Sequence, residues 1–231
     1  MLVSPSASRV AGSGPDAVIF DFDGLLMDTE STSLRSWQFE WQQWGLELDA
    51  TTFFVNHGGD ITEDRYAQLA SAVGERFDRG LSHQRRTRYR DELHESLELA
   101  EGIRIWLQQA AESGRRLAVA SSSPRDWLTR HLGRAEVLDQ FEVLAGGDEV
   151  GRHKPAPDVY ELALRRLGLP PTNAVAVEDT AHGVDAAHAA GLTCIAIPNP
   201  FVRPDAVEHA ELVLRSAAEV SLERALAHAR G

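Results

Sequence analysis

The sequence predicts an α/β fold, a doubly wound parallel sheet core with a small helical domain inserted after the first strand. Three observations carry that reading. Short unbroken apolar runs stop abruptly at polar or glycine-containing turns, the pattern of strands buried on both faces. Helix-length stretches with their own start and stop signals separate most of those runs. One stretch, 31–97, breaks the rhythm and shows helical periodicity with no convincing strand.

Residues 1–14 are rich in Ser, Gly, Ala and Pro and lack periodicity, so a disordered tail is expected there. Ala17-Val-Ile-Phe20 is the first apolar run and ends at Asp21-Phe-Asp-Gly24. The design recurs at Leu117–Ala120, Ala174–Val177 and Thr193–Ile197, with weaker candidates at Phe141–Leu144 and Leu212–Leu214. Pro157–Leu167 reads as a helix stopped by Gly168, and Ala181–Ala190 as one stopped by Gly191. Alternating strands and helices imply right-handed crossovers and an open sheet. Within 31–97, Trp37, Trp41 and Trp44 recur at helical spacing, the mark of an aromatic face packing a small bundle. The expected division is therefore 15–30 and 98–231 as the core and 31–97 as the helical insertion.

Composition narrows the function classes. A chain of 231 residues with 43% hydrophobic and 25% charged side chains buries enough surface to need no disulfide or metal staple. Its one cysteine, Cys194, excludes a disulfide framework and falls in an apolar run, where packing is its expected role. A net charge of −12 argues against sequence-independent nucleic-acid binding. Neither a membrane-spanning run nor a signal peptide is visible, so a cytoplasmic protein is expected, a monomer or weak homodimer. Of its 23 basic residues only Lys154 is lysine. Arginine and lysine interchange freely on a solvated surface, so a lone lysine is either a chance survivor of an arginine-rich composition or a position that needs a compact ammonium, and the second is expected here.

Ligands of open α/β sheets bind beyond the carboxyl ends of the strands. After the first strand stand Asp21 and Asp23; after the second, Ser121, Ser122 and Ser123; after the third, Lys154; after the fourth, Glu178 and Asp179. Carboxylates gathered on one rim repel one another and call for a cation, and hard oxygen donors select Mg2+. A carboxylate can also attack phosphorus, dividing one hard displacement into two easier ones. The rim lysine and hydroxyls would neutralise the transferring oxygens.

Val18-Ile-Phe-Asp21-Phe-Asp23-Gly24-Leu-Leu-Met-Asp28-Thr29-Glu30 resembles the first motif of the haloacid dehalogenase-like (HAD) hydrolase superfamily, in the branch of β-phosphoglucomutases and small-metabolite phosphatases. Leu117-Ala-Val-Ala-Ser121, Lys154-Pro-Ala-Pro-Asp158 and Val177-Glu178-Asp179-Thr-Ala-His-Gly183 are similar to the second, third and fourth motifs, in order. The resemblance implies a Rossmann-like core and makes 31–97 a helical cap that closes over the substrate. It implies Asp21 as nucleophile and metal ligand, and Asp23 as general acid and base with its backbone carbonyl on the metal. Ser121 and the amide of Ser122 would hold phosphoryl oxygens, Lys154 would bridge phosphate and nucleophile, and Asp179 would bind Mg2+ with Glu178 beside it, directly or through water. A magnesium-dependent phosphatase of a small phosphorylated metabolite is therefore expected, working through an aspartyl-phosphate.

The alternative is a sugar-phosphate mutase on the same core. Mutases of the β-phosphoglucomutase kind carry a histidine where this chain has Ser33, and a cap-loop arginine that Asn56–Asp64 does not offer. A non-catalytic binding protein would typically lose the nucleophile, the lysine or a metal acid, and none is missing. Arg85, Arg86, Arg88 and Arg90 form a basic cluster; Arg85 and Arg86 are candidates to face an anionic substrate. His57, His83, His131, His153 and His182 have no metal-like spacing and read as surface or loop residues, with His182 nearest the site.

Overall fold

A computed structural model describes residues 14–53 and 62–230. The expected tail falls outside these residues apart from Gly14, as do His57 and most of Asn56–Asp64. Six strands form one parallel sheet: β1 (Ala17–Phe20), β2 (Arg116–Ala120), β3 (Val143–Ala145), β4 (Ala174–Glu178), β5 (Thr193–Ala196) and β6 (Leu212–Val213). Their order, β3-β2-β1-β4-β5-β6, is that of a doubly wound sheet, with the direction of winding reversing beside β1. Both weak strand candidates are real, though shorter than their apolar runs.

Successive residues of each strand serve opposite faces, and the two faces differ in bulk. Val18, Phe20, Leu117, Val119, Val175, Val177 and Ile195 face one core. There they pack against α5 (Ile103–Glu112), including Trp106, and against α6 (Arg125–Arg134) and α9 (Leu222–Ala229). The other face presents Ala17, Ile19, Ala118, Ala120, Ala174, Ala176 and Cys194, mostly small side chains that admit α7 (Asp158–Leu167) and α8 (Ala181–Ala189). Each large apolar side chain so buried contributes about 1.5–3 kcal/mol. Cys194 is buried in this layer, as expected of inert packing.

Residues 29–94 hold the remaining helices: α1 (Thr29–Gln43), α2 (Ala50–Phe53), α3 (Thr62–Val73) and α4 (Arg79–His94). Asp28 caps α1 by accepting from Ser31 N–H (3.0 Å), and Asp78 caps α4 through Leu81 N–H (2.9 Å). These helices have a core of their own, in which Leu34, Trp37, Phe53 and Tyr66 are buried and Trp41 packs against them. The tryptophan stripe is thus a packing face. Chain leaves and re-enters the sheet side by side: Met27 bridges Leu99, and Ala100 N–H donates to Leu26 O (2.8 Å). No helix among the described residues is long and apolar enough to cross a membrane.

Candidate active site

Sheet register assembles the site. Phe20 pairs with both Val119 and Val177, so the next residues, Asp21, Ala120 and Glu178, stand level at the carboxyl ends of three adjacent strands. Asp21 keeps its backbone in the sheet, its N–H donating to Val177 O (2.9 Å). Asp179 follows Glu178, and carboxylate oxygens of Asp21, Glu178 and Asp179 all lie within 4.8 Å of one another. All three residues are buried.

Lys154 enters this cluster from the segment before α7. Its Nζ donates to Asp21 Oδ1 (2.5 Å), Glu178 Oε1 (2.6 Å) and Ala120 O (2.9 Å). The sequence placed this lysine on a rim; its side chain is in fact only 8% exposed, because the strand ends close around it. Burial acts to lower the Lys154 pKa, yet the charges of Asp21 and Glu178 outweigh it and hold the ammonium above its ordinary range. Three carboxylates against one ammonium leave an excess of buried negative charge. Asp21 is pushed up to about 8, mainly by burial, with Glu178 and Asp23 adding and Lys154 opposing. Asp179 is raised well above the usual carboxylate range by burial and then by the charges of Asp21 and Glu178. An all-oxygen, over-charged cluster of this kind fits a hard divalent cation.

Asp23 is part of the same rim, with its carboxylate turned to the segment after β2. It accepts from Ser123 Oγ (2.6 Å), Trp127 Nε1 (3.2 Å) and, more weakly, Ser121 Oγ (3.4 Å). Ser121 is buried beside it, whereas the Ser122 side chain is exposed. Glu30, at the start of α1, is pushed up to about 7 by burial and by the charge of Asp23.

Four residues hold these groups in place, of which Ser123 was read from the sequence and Tyr160, Asn199 and Trp127 were missed. Tyr160 OH donates to Glu178 Oε1 (2.6 Å), and Asn199 Nδ2 donates to Asp179 Oδ2 (2.7 Å). Ser123 and Trp127 hold Asp23 as described. Asn199 follows β5 at the same rim and could have been found by extending the strand-end reading one strand further. Tyr160 looks like any aromatic on the buried face of a helix and gives no such signal. Two glycines make room for the acids. Gly24 has φ +83°, and a Cβ there would lie 2.2 Å from Asp179 Oδ2. At Gly183 a Cβ would lie 1.9 Å from Glu178 Oε2, so α8 can pass over the carboxylate only without a side chain.

Arg85 and Arg86 are not brought to this cluster. Arg85 donates to Glu40 (2.7 and 3.3 Å), a fully buried acid that also accepts from Ser82 and Trp44. Arg86 is buried against the Trp37 ring and donates to Tyr66 OH (2.8 Å) and Ser36 Oγ (3.3 Å). Arg85 ties α4 to α1, and Arg86 ties α4 to both α1 and α3. His131 is likewise buried rather than superficial, because its position on α6 faces Phe22 and Trp127. His153 and His182 are exposed.

A parallel sheet with acids, a lysine and hydroxyls at its carboxyl edge is the arrangement of a phosphoryl-transfer site. The sequence pattern of haloacid dehalogenase-like hydrolases matches residues 18–197, and the chain belongs to that family. It is 32% identical over 226 residues to the protein CbbY of Cereibacter sphaeroides, covering 89% of this chain and 94% of that one. Fructose-1-phosphate phosphatase YqaB of Escherichia coli is 29% identical over 184 residues, covering 77% of this chain and 94% of YqaB. The crystal structure of CbbY from Rhodobacter sphaeroides in complex with phosphate superposes with a TM-score of 0.73 at 31% identity, covering 92% and 99% of the two chains. The protein is an enzyme of this family, a phosphatase.

Proposed function

We propose that the protein is a magnesium-dependent phosphoric monoester hydrolase that acts on a small phosphorylated metabolite through an aspartyl-phosphate on Asp21. The observation that carries this reading is the buried contact of Lys154 Nζ with Asp21 Oδ1 at 2.5 Å, inside the triad of carboxylates. An ammonium at that distance fixes one oxygen of Asp21 and leaves the other to attack. The names of the relatives support a phosphorylated sugar or similarly small ester as substrate.

Asp21 attacks phosphorus, the ester P–O bond breaks, and the leaving alkoxide takes a proton from Asp23. Water then attacks phosphorus while giving its proton to Asp23. The bond to Asp21 breaks, releasing inorganic phosphate and restoring the Asp21 carboxylate and the protonated Asp23. Lys154 neutralises charge on the transferring oxygens, and Ser121 and the Ser122 amide bind them. Asp21 and Asp179, with the Asp23 carbonyl, would hold Mg2+; Glu178, already bonded to Lys154, Tyr160 and the Asp179 N–H, orients the cluster. When bound, the cation offsets the surplus negative charge and lets a phosphate approach an anionic nucleophile. The helical unit, 31–97, is proposed as the cap that shuts bulk water out during transfer.

Hydrolysis of a generic phosphate ester should require magnesium and stop on chelation. Calcium should inhibit, since its longer and looser coordination misplaces Asp21. Full turnover after exhaustive chelation would refute the mechanism.

A further inference from the structure

Trp127 opens α6 at the junction of the sheet and the helical unit. Its Nε1 donates to Asp23 Oδ1 (3.2 Å), and Ser123 of the same segment donates to Oδ2 (2.6 Å). Two donors four residues apart therefore grip both oxygens of one carboxylate and fix its plane. The indole is itself held on two sides. His131, one helical turn on, packs against it with 4.1 Å between ring centroids, and His94 meets it edge-on at 5.0 Å. His94 ends α4 and is anchored in turn, with Nε2 2.9 Å from Thr32 Oγ1 on α1. The Thr32 hydroxyl already donates to Thr29 O (2.7 Å), so His94 Nε2 must be the donor to Thr32. That assignment fixes both the ring orientation and the tautomer of His94. A phenyl ring at this position would keep an aromatic partner for His131 and His94 and lose the N–H that reaches Asp23.

We propose that Trp127 is a positioning residue whose indole N–H sets the orientation of the Asp23 carboxylate for proton transfer to the leaving group. The inference rests on the acid–base role given to Asp23 above. A carboxylate free to turn about its last bond presents its proton in the right direction only part of the time, and the loss falls on turnover rather than on substrate binding.

The test is Trp127→Phe, which keeps the stacked ring and removes the donor. Phosphoenzyme formation is followed in single turnovers with an alkyl and an aryl phosphate at saturating magnesium, with Asp23→Asn alongside. Turnover of the alkyl ester should fall about tenfold at unchanged KM, and that of the aryl ester less than about twofold, because its leaving group needs little protonation. Asp23→Asn should show the same selectivity more strongly. If Asp23→Asn is selective and Trp127→Phe is not, the positioning role is overturned while the acid–base reading stands. If Asp23→Asn slows both esters equally, the acid–base reading itself fails. A second measurement does not depend on how Trp127→Phe folds: in Asp23→Ala, one of the five indole N–H resonances should move upfield. An unchanged set of indole resonances would overturn the contact.

Discussion

The Lys154 ammonium has three protons, and three acceptors surround it: Asp21, Glu178 and the Ala120 carbonyl. An arginine carries the same charge as a wide planar fork, which cannot satisfy three acceptors converging on one point. Lys154→Arg should therefore cost at least about a hundredfold in turnover, about 3 kcal/mol of transition-state stabilisation. Because the side chain is buried, thermal melts should also show a loss, of the order expected for an overpacked core, about 1–3 kcal/mol. Turnover assays at saturating magnesium beside those melts check both, and near-normal turnover would make the lone lysine an accident of composition. This position was legible in the sequence because arginine had replaced lysine everywhere else. Asn199 and Trp127 were harder to read. Their significance comes from distances to Asp179 and Asp23, residues 20 and 104 positions away.

Elements hold the site through pairings that also cross long stretches of chain. Arg166 on α7 donates to Leu144 O on β3 (2.8 Å) and to both oxygens of Glu149 (2.7 and 3.0 Å), while Glu149 accepts from Gly146 N–H (3.0 Å). The turn after β3 is thereby fastened to the helix that follows Lys154. The Arg166 hydrogen bonds hold the Glu149 carboxyl down to about 2, against an ordinary 4.5. A carboxyl lowered on folding stabilises the fold above its unfolded pKa, and that stability disappears as pH falls through the folded value. Glu149→Gln should melt below the parent at neutral pH, by a gap that is constant above pH 4.5 and closes toward pH 2. A gap independent of pH, followed in melting curves across that range, would contradict the pairing. The same nonlocality explains Arg85 and Arg86. On one helix they look like a basic face awaiting an anion, and the buried acid that takes Arg85, Glu40, lies 45 residues earlier. Strands were easier to read, since a parallel strand declares itself by a local apolar run and the polar residue that ends it.

Across the whole molecule, the reversal of winding beside β1 brings acids from β1 and β4 together, and the helical unit joins the sheet through two adjacent passages of chain. Each strand is marked by a local apolar run and the residue that ends it, which is why four motifs spread over residues 18–183 could be assigned to one rim from the sequence. Rotamers at that rim were not legible in the same way, because they depend on Tyr160, Asn199 and the two glycines packed behind the acids. In the proposed mechanism Asp21 itself carries the phosphoryl group. The most direct measurement is rapid acid quench of a single turnover, followed by proteolysis and mass spectrometry of the peptide holding Asp21. A phosphoryl adduct on Asp21 should form and decay within one turnover and never form in Asp21→Asn. Hydrolysis at the normal rate with no adduct at any quench time, or an adduct on another residue, would contradict it.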